Sequence, residues 1–455
     1  MSSKQFSEDL AAISVGSFIL ILSLIIFLVI PLSTGVSDSV VGSFLDQTVL
    51  KLVTWDINPF NAFNGKGNTF SDYFLSLVSL FIVFAILFGL VIRFMGEKAA
   101  AFLKGFAVVF LVALLANVLS AQANFKAIGF GYALWAIVLG MIISNSFGIP
   151  EWLRGALRHE LFIKTGLVLL GAEVLFGKIL AIGLPGIFVA WVVTPIVLVG
   201  TFWFGQRVLK MTSKTLNITI SADMSVCGVS AAIATAAACK AKKEELTTAI
   251  GLSMVFTSIM MVAMPAIIKA VGMPEVLGGA WLGGTIDATG AVVAAGAFLG
   301  DQALNVAATI KMIQNILIGV IAFAIAVYWT AKVDKTPGEK VSANEIWIRF
   351  PKFILGFIGA SLVFSFLQQY MQADVANDLI EGGVYGYTKG VRGWLFCLAF
   401  TSIGLSTNFK ELSSQFSGGK PLILYLCGQL FNLALTLLMA WIMFYKIFPE
   451  ITSSI

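Results

Sequence analysis

The sequence has few charged residues, a single histidine and four scattered cysteines, and each shortage excludes a class of function. Only 12% of the 455 residues are charged whereas 58% are hydrophobic, a composition that one water-soluble core cannot bury. The formal charge of +5 is spread over short loops, so a nucleic-acid partner is not expected. Four cysteines show no CxxC spacing and are expected to serve packing: Cys227, Cys239, Cys397 and Cys427.

Catalytic motifs are missing as well. His159 lies beside Glu160 in a charged loop, where solvation is its expected state. The sequence contains no phosphate loop, no histidine-containing metal cluster and no Ser-His-Asp set. Enzymatic activity and a cofactor are therefore not expected.

Long apolar runs predict an all-α polytopic membrane protein with about 12 to 13 segments. The first run has no cleavage site after it and is expected to stay as a helix, which with the polar loop 33–72 forms an N-terminal addition at 1–72. The two halves of the core are predicted at 73–271 and 272–455. The segments are expected at 12–32, 73–95, 105–121, 130–147, 161–177, 185–205, 213–239, 246–271, 284–300, 305–331, 350–371, 390–407 and 421–446.

Loop charges orient these segments, because cytoplasmic loops gather Lys and Arg. The acidic loops 33–72 and 372–389 are assigned to the outside, which places the N-terminus inside and the C-terminus outside. The basic loop at Lys240, Lys242 and Lys243 lies outside if 213–239 crosses fully. It lies inside if that segment is re-entrant and 284–300 behaves in the same way.

An internal repeat is predicted from two short stretches. Residues 171–176, followed by Pro185, share a pattern with residues 404–409, followed by Pro421. The charge-derived orientation runs the two copies in opposite directions, and inverted repeats are the arrangement that alternating access uses. Chance similarity of short glycine-containing helices is the alternative.

Two segments, 217–236 and 284–300, are too polar and too rich in small residues for lipid-facing helices. We expect both helices to be broken, because glycine and serine favour unwinding and an unwound helix presents N–H groups to an anion. Close packing of small residues against a neighbour is the alternative. The predicted substrate-binding residues are Ser225, Cys227, Gly228, Ser230, Thr289, Gly290, Lys311 and Asn315.

Ionisable residues inside membrane segments are candidates for ion coupling. Asp223 and Asp287 lie at the predicted breaks as cation ligands, as proton carriers or as partners of a lysine. Lys311 is a counter-charge to Asp287 or to a bound anion, or a lysine that extends to the membrane surface. The predicted ion-coupling residues are Asp223, Asp287, Glu173 and Gln314.

The segment 225–234 resembles the "CGxSA" signature of the YeiH-like family of inner-membrane sulfate exporters. Residues 290–296, followed by Lys311, resemble that family's "VVAAG … K" segment, and the resemblance covers roughly 73–446. At Ile286 the family pattern commonly has histidine. If that histidine carries protons, this chain couples differently or not at all.

This resemblance implies a secondary transporter that exports a small anion, with sulfate or sulfite first, across a bacterial-type inner membrane. A more distant similarity to bile-acid-symporter-like transporters implies a panel and a core domain in an elevator-like arrangement, often in a homodimer. Two other functions stay open. One is a carrier of another small solute that is coupled to sodium or protons, and the other is a membrane scaffold or receptor that does not transport.

Overall fold

The structure is a computed structural model. Parts of the loops 33–72, 332–352 and 372–389, on which the predicted orientation rests, lie outside the described residues. The described residues are 7–26, 52–64, 69–128, 130–174, 176–334, 344, 347, 350–371, 380, 384–408 and 419–454.

Helices lie in all of the predicted segments, and the all-α polytopic membrane fold is confirmed. Seven helices of the described chain are long and apolar enough to cross a membrane by themselves. We number the main helices α1 Glu8–Leu24, α2 Phe70–Phe94, α3 Ala99–Ser120, α4 Tyr132–Phe147, α5 His159–Glu173, α6 Ile179–Arg207, α7 Lys214–Ser225, α8 Val229–Ala238, α9 Lys243–Ala270, α10 Glu275–Thr285, α11 Thr289–Leu299, α12 Asp301–Tyr328, α13 Phe353–Tyr370, α14 Tyr385–Ser406 and α15 Lys420–Ile447.

The chain divides into two compact units, each assembled from separated parts of the sequence. The first comprises Met1–Gly177 and Lys352–Asn408, and the second comprises Lys178–Pro351 and Phe409–Ile455. The first unit therefore holds α1 to α5, α13 and α14, and the second holds α6 to α12 and α15. The predicted halves follow the internal repeat, whereas each packed unit takes helices from both halves.

In the first unit, the two stretches that share a sequence pattern end in the same way. The residues that follow α5 and α14, Val174 and Thr407, are both extended. The carbonyl of Val174 accepts a hydrogen bond from Ser361 Oγ at 2.6 Å, and that of Thr407 accepts one from Asn145 Nδ2 at 3.0 Å. Each helix end is thus closed by a polar side chain of a neighbouring helix, α13 in one case and α4 in the other.

Close backbone contact explains the shared glycines of these stretches. A Cβ at Gly171 would collide with the carbonyl of Phe357, and a Cβ at Gly404 would collide with the carbonyl of Ile137. Gly393, in the same helix as Gly404, has no such neighbour within 4 Å. Glycine is therefore required at two positions for packing and is dispensable at the third.

We expect Gly404→Ala to lower the free energy of unfolding by about 1–3 kcal/mol, because α4 and α14 must separate to admit the methyl group. Gly393→Ala is the matched control and should be neutral or stabilising by up to about 1 kcal/mol, since alanine favours a helix interior. Denaturant unfolding in detergent measures both. Equal stability of the two variants would contradict the close contact.

In the second unit, α7 and α8 form a hairpin. If α7 and α8 ran straight on, the 20 residues between Thr219 and Cys239 would span about 30 Å, yet Thr219 Oγ1 lies 3.8 Å from Cys239 Sγ. At the open end, Thr215 Oγ1 donates to Glu245 Oε2 at 2.7 Å, which ties the start of α7 to the start of α9. Segment 213–239 thus returns to the side from which it starts.

A second hairpin consists of α10 and α11. At its open end, the backbone N–H of Ala303 donates to Glu275 Oε2 at 3.4 Å, although a straight helix of that length would separate the two residues by about 40 Å. The predicted segment 284–300 was placed too late, because the hairpin begins at Glu275 and its break lies at 286–288. Gly290 lies inside the first turn of α11 rather than in the break.

Because both ends of each hairpin lie together, they should face the same side of the membrane. In a background with Cys227→Ser and Cys427→Ser, we expect Lys214→Cys and Lys243→Cys to react with a membrane-impermeant maleimide from one side. Val271→Cys, beyond the far end of α9, is the control and should react from the other side. Labelling of positions 214 and 243 from opposite sides would show a full crossing instead.

Candidate functional site

The tip of each hairpin is the break between its two helices, residues 226–228 in the first and 286–288 in the second. The two tips meet inside the second unit. Cys227 Sγ lies 3.6 Å from Thr289 Oγ1. Gly228 adopts a positive φ of 53°, and a Cβ there would lie 3.3 Å from the Cβ of Asp287 and 3.1 Å from Ser253 Oγ. The left-handed backbone and the close neighbours both favour glycine at this tip. The two segments that the sequence predicted to be broken are therefore in contact at their breaks.

The first arms of the two hairpins are α7 and α10, and the second arms are α8 and α11. Helix α12 supplies hydrogen-bond donors to the ends of both first arms. Lys311 Nζ donates to the carbonyl of Val226 at 2.6 Å and to Gln314 Oε1 at 2.7 Å. Gln314 Nε2 lies 3.1 Å from the carbonyl of Ser225 and 3.3 Å from that of Gly284. Since the last carbonyls of a helix have no partner within it, these contacts stabilise both breaks.

Helix α15 supplies the remaining donors. Asn432 Nδ2 donates to the carbonyl of Met224 at 3.2 Å, and Gln429 Nε2 donates to that of Thr285 at 3.2 Å. Each first arm therefore ends on side-chain amides from α12 and α15. The carbonyl ends of the two breaks are closed by the protein itself.

The second arms begin differently. Neither α8 nor α11 has a side-chain hydrogen bond at its N-terminus. The first-turn amides, at 229–231 and 289–291, are thus left without a cap, and the positive end of each helix dipole lies at the meeting point of the tips. This is the part of the site that suits a negatively charged group.

Two carboxylates and one ammonium are buried beside the tips. Asp223 and Asp287 are fully buried, and Lys311 is 1% exposed. Tyr425 Oη donates to Asp287 Oδ2, but the other oxygen of Asp287 and both oxygens of Asp223 have no hydrogen-bond partner among the described residues. Lys311 makes its hydrogen bonds to Val226 and Gln314 rather than to either carboxylate.

The surface of the site lies at the start of α8. Ser230 is exposed, whereas Cys227 and Thr289 are each 8% exposed. Asn315, which is buried, donates from Nδ2 to Thr289 Oγ1 at 3.0 Å. Most of the predicted substrate-binding residues are thus brought together, with Ser230 at the surface and Lys311 and Asn315 buried.

Comparison with known proteins places this arrangement in a family. The family model described as Conserved hypothetical protein 698 matches residues 104–425. The chain belongs to this family. The matched range contains both hairpins, α9, α12 and the start of α15 up to Tyr425, whereas Gln429 and Asn432 lie beyond it.

The relatives are named as membrane proteins. A UPF0324 membrane protein of Nitratidesulfovibrio vulgaris strain Hildenborough is 63% identical over 381 residues, which cover 84% of this chain and 66% of that protein. UPF0324 membrane protein RB9488 of Rhodopirellula baltica is 57% identical over 397 residues, 87% of this chain and 72% of the relative. UPF0324 inner membrane protein YeiH of Escherichia coli K12 is 26% identical over 305 residues, 66% of this chain and 82% of the relative.

The predicted membership of the YeiH-like family is confirmed. The chain spans about two thirds of the length of the Nitratidesulfovibrio relative. The relatives' names state a membrane location and no substrate. The names of the relatives therefore identify neither a substrate nor a direction of transport.

Glu173, a predicted ion-coupling residue of this family member, lies in the first unit. Its carboxylate pairs with Arg392, with Nε–Oε1 and Nη2–Oε2 distances of 2.9 and 2.8 Å. Arg392 is only 5% exposed, and a buried bidentate pair of this kind fixes α5 against α14. The site at the hairpin tips is assembled from other residues, and an ion-coupling role for Glu173 stays a prediction.

Sequence reasoning missed the contribution of α15. Tyr425, Gln429, Asn432 and Thr436 recur at intervals of four, three and four residues along an otherwise apolar helix, which places them on one face. Ser253 and Thr257 on α9 have the same one-turn spacing. This periodicity was the available signal, but the sequence does not show which helix such a face meets.

We expect Tyr425→Phe to lower the free energy of unfolding by about 1–3 kcal/mol, because it removes the hydrogen bond to a buried carboxylate without changing the packing volume. Tyr328→Phe is the control, since Tyr328 is 50% exposed, and it should be neutral. Denaturant unfolding of the purified variants in detergent provides the comparison. If both variants matched the wild-type protein, the Tyr425–Asp287 bond would have no energetic role.

Proposed function

We propose that the protein is a secondary transporter that exports a small anion, with sulfate or sulfite as the first candidates, across the inner membrane. The observation that carries this proposal is the meeting of two hairpin tips at which two helix N-termini start without side-chain caps. Each N-terminus offers N–H donors and a partial positive charge. Two of them at one place favour a negatively charged guest.

Side chains at the tips add donors of the right kind. The oxygens of sulfate or sulfite accept hydrogen bonds, and the side chains of Ser230, Cys227, Thr289 and Asn315 donate them. Ser230 is exposed while Thr289 and Asn315 are buried, so the donors continue from the surface inward. This gradation supports a site that an anion enters from the side of α8.

The membrane potential supplies a driving force for export. With the inside negative, a departing dianion gains about 4–5 kcal/mol per 100 mV, at about 2.3 kcal/mol for each charge. In the proposed orientation, the first hairpin enters from the cytoplasm and the second from outside, with the N-terminus inside. The inner-membrane name of the Escherichia coli relative supports the location. Elevator-like alternating access and a homodimer belong to the proposal on the strength of the family resemblance.

A second candidate is a carrier that couples solute movement to sodium or protons. It is favoured by Asp223, which is fully buried and, within the part of the chain that the structure describes, has no hydrogen-bond partner on either oxygen. Carboxylates in such positions are typical cation ligands or proton carriers. Strict dependence of transport on a sodium or proton gradient would favour this candidate over unassisted export.

We expect sulfate to protect Cys227 from a maleimide. In a Cys427→Ser background, Cys227 is 8% exposed, whereas Cys239 and Cys397 are 1% and 0% exposed, so labelling reports on Cys227 at the tip. Sulfate should slow the reaction several-fold at constant ionic strength, whereas gluconate, a bulkier anion with a single charge, should not. In the control, Cys227→Ser with Cys427 retained, sulfate should leave the rate unchanged.

A transport assay in proteoliposomes is the second test of the proposed anion exporter. Proteoliposomes that contain the protein should release radiolabelled sulfate or sulfite faster than empty liposomes, and an interior-negative potential should increase the rate. Absence of both protection and flux would remove the sulfur oxyanions as substrates. Absence of any solute flux would favour a scaffold or receptor.

A further inference from the structure

Asp223 is the least compensated group in the second unit. Its side chain is fully buried, and neither carboxylate oxygen has a hydrogen-bond partner in the described chain. An ionised carboxylate in such a place costs several kcal/mol unless an opposite charge accompanies it. Lys311 is close, but its hydrogen bonds go to Val226 and Gln314. Compensation for Asp223 therefore comes either from a proton or from a bound cation.

Other oxygen-bearing side chains lie near this carboxylate. Ser253 lies beside Asp223 and Thr257 beside Asp287, in both cases without a hydrogen bond of standard geometry. A Cβ at Gly228 would lie 3.1 Å from Ser253 Oγ and 3.3 Å from Asp287 Cβ, so these groups converge on one tip. Thr257 Oγ1 and Asp287 Oδ1 are also buried without a hydrogen-bond partner. Carboxylate and hydroxyl oxygens are the ligands that hard cations prefer.

The internal symmetry of the unit gives a second, independent reason. Helices α9 and α12 each have 28 residues, and each follows directly after a hairpin. Ser253 stands ten residues after Lys243, the start of α9, and Lys311 stands ten residues after Asp301, the start of α12. One helix thus brings an ammonium to the tips, whereas the other brings a short hydroxyl at the corresponding position.

We propose that a sodium ion binds on the α9 side of the tips, held by the carboxylates of Asp223 and Asp287 and the hydroxyls of Ser253 and Thr257. When all three groups are ionised, the two carboxylates and Lys311 together carry one negative charge, which a monovalent ion neutralises and a divalent ion exceeds. A proton satisfies one oxygen and leaves the others without partners. The meaning of the ion for transport rests on the proposed function, whereas its binding does not.

Thermal unfolding of the purified protein, without sulfate, tests the site. At constant ionic strength, saturating NaCl should raise the Tm by roughly 3 °C or more over choline chloride, since a ligand that binds only the folded state stabilises it. KCl should give no comparable shift. Asp223→Asn should abolish the sodium effect. Asp301→Asn, which removes the same charge at the exposed start of α12, is the matched control and should retain it.

Asp223→Asn is also expected to fold. Asparagine has nearly the same shape, and it removes an uncompensated buried charge. In choline chloride the variant should therefore unfold at or above the wild-type temperature. A wild-type protein without a sodium shift, or an Asp223→Asn protein that keeps the shift, would overturn the proposal. A sodium shift without protection of Cys227 by sulfate would keep the cation site and remove the anion proposal.

Discussion

The structure of the second unit depends on the satisfaction of backbone carbonyls where two helices stop in a membrane interior. No water competes there for a free carbonyl, so each one without a partner costs several kcal/mol. Four side chains provide the donors: Lys311 and Gln314 from α12, and Gln429 and Asn432 from α15. These two helices are therefore what makes the broken segments possible.

This arrangement gives each break two different ends. The carbonyl end of each first arm is closed by protein donors, whereas the amide end of each second arm has no side-chain cap. A break between two consecutive helices presents both the negative carbonyl end of the first helix and the positive amide end of the second. Closing the negative side with side chains leaves the amides as the open backbone groups at the tips, beside the carboxylates of Asp223 and Asp287. The chemical preference of the site thus follows from the helices behind it.

Much of the fold could be predicted from hydropathy, because a membrane helix needs a long apolar run whatever its neighbours are. The first arm of the second hairpin could not, since Gly279 and Gly283 give it the appearance of a loop. Their use is visible only in three dimensions, where a Cβ at either position would meet a carbonyl of α12, that of Ala303 or Ala307. The pairing of Glu173 with Arg392 was out of reach for the same reason, because 219 residues separate them. In the site, the residues at the tips were accessible from composition, whereas their supporting partners on α15 depended on which helices pack together.

Gln314 also links the two hairpins mechanically. Its single amide nitrogen is within hydrogen-bond distance of the carbonyl of Ser225 in one hairpin, the carbonyl of Gly284 in the other and the hydroxyl of Thr194 in α6. A displacement of either tip strains the bond to the other. Because energetic coupling between two sites is reciprocal, a ligand that displaced one tip and so changed the binding of a second ligand at the other tip would have its own binding changed by the same factor.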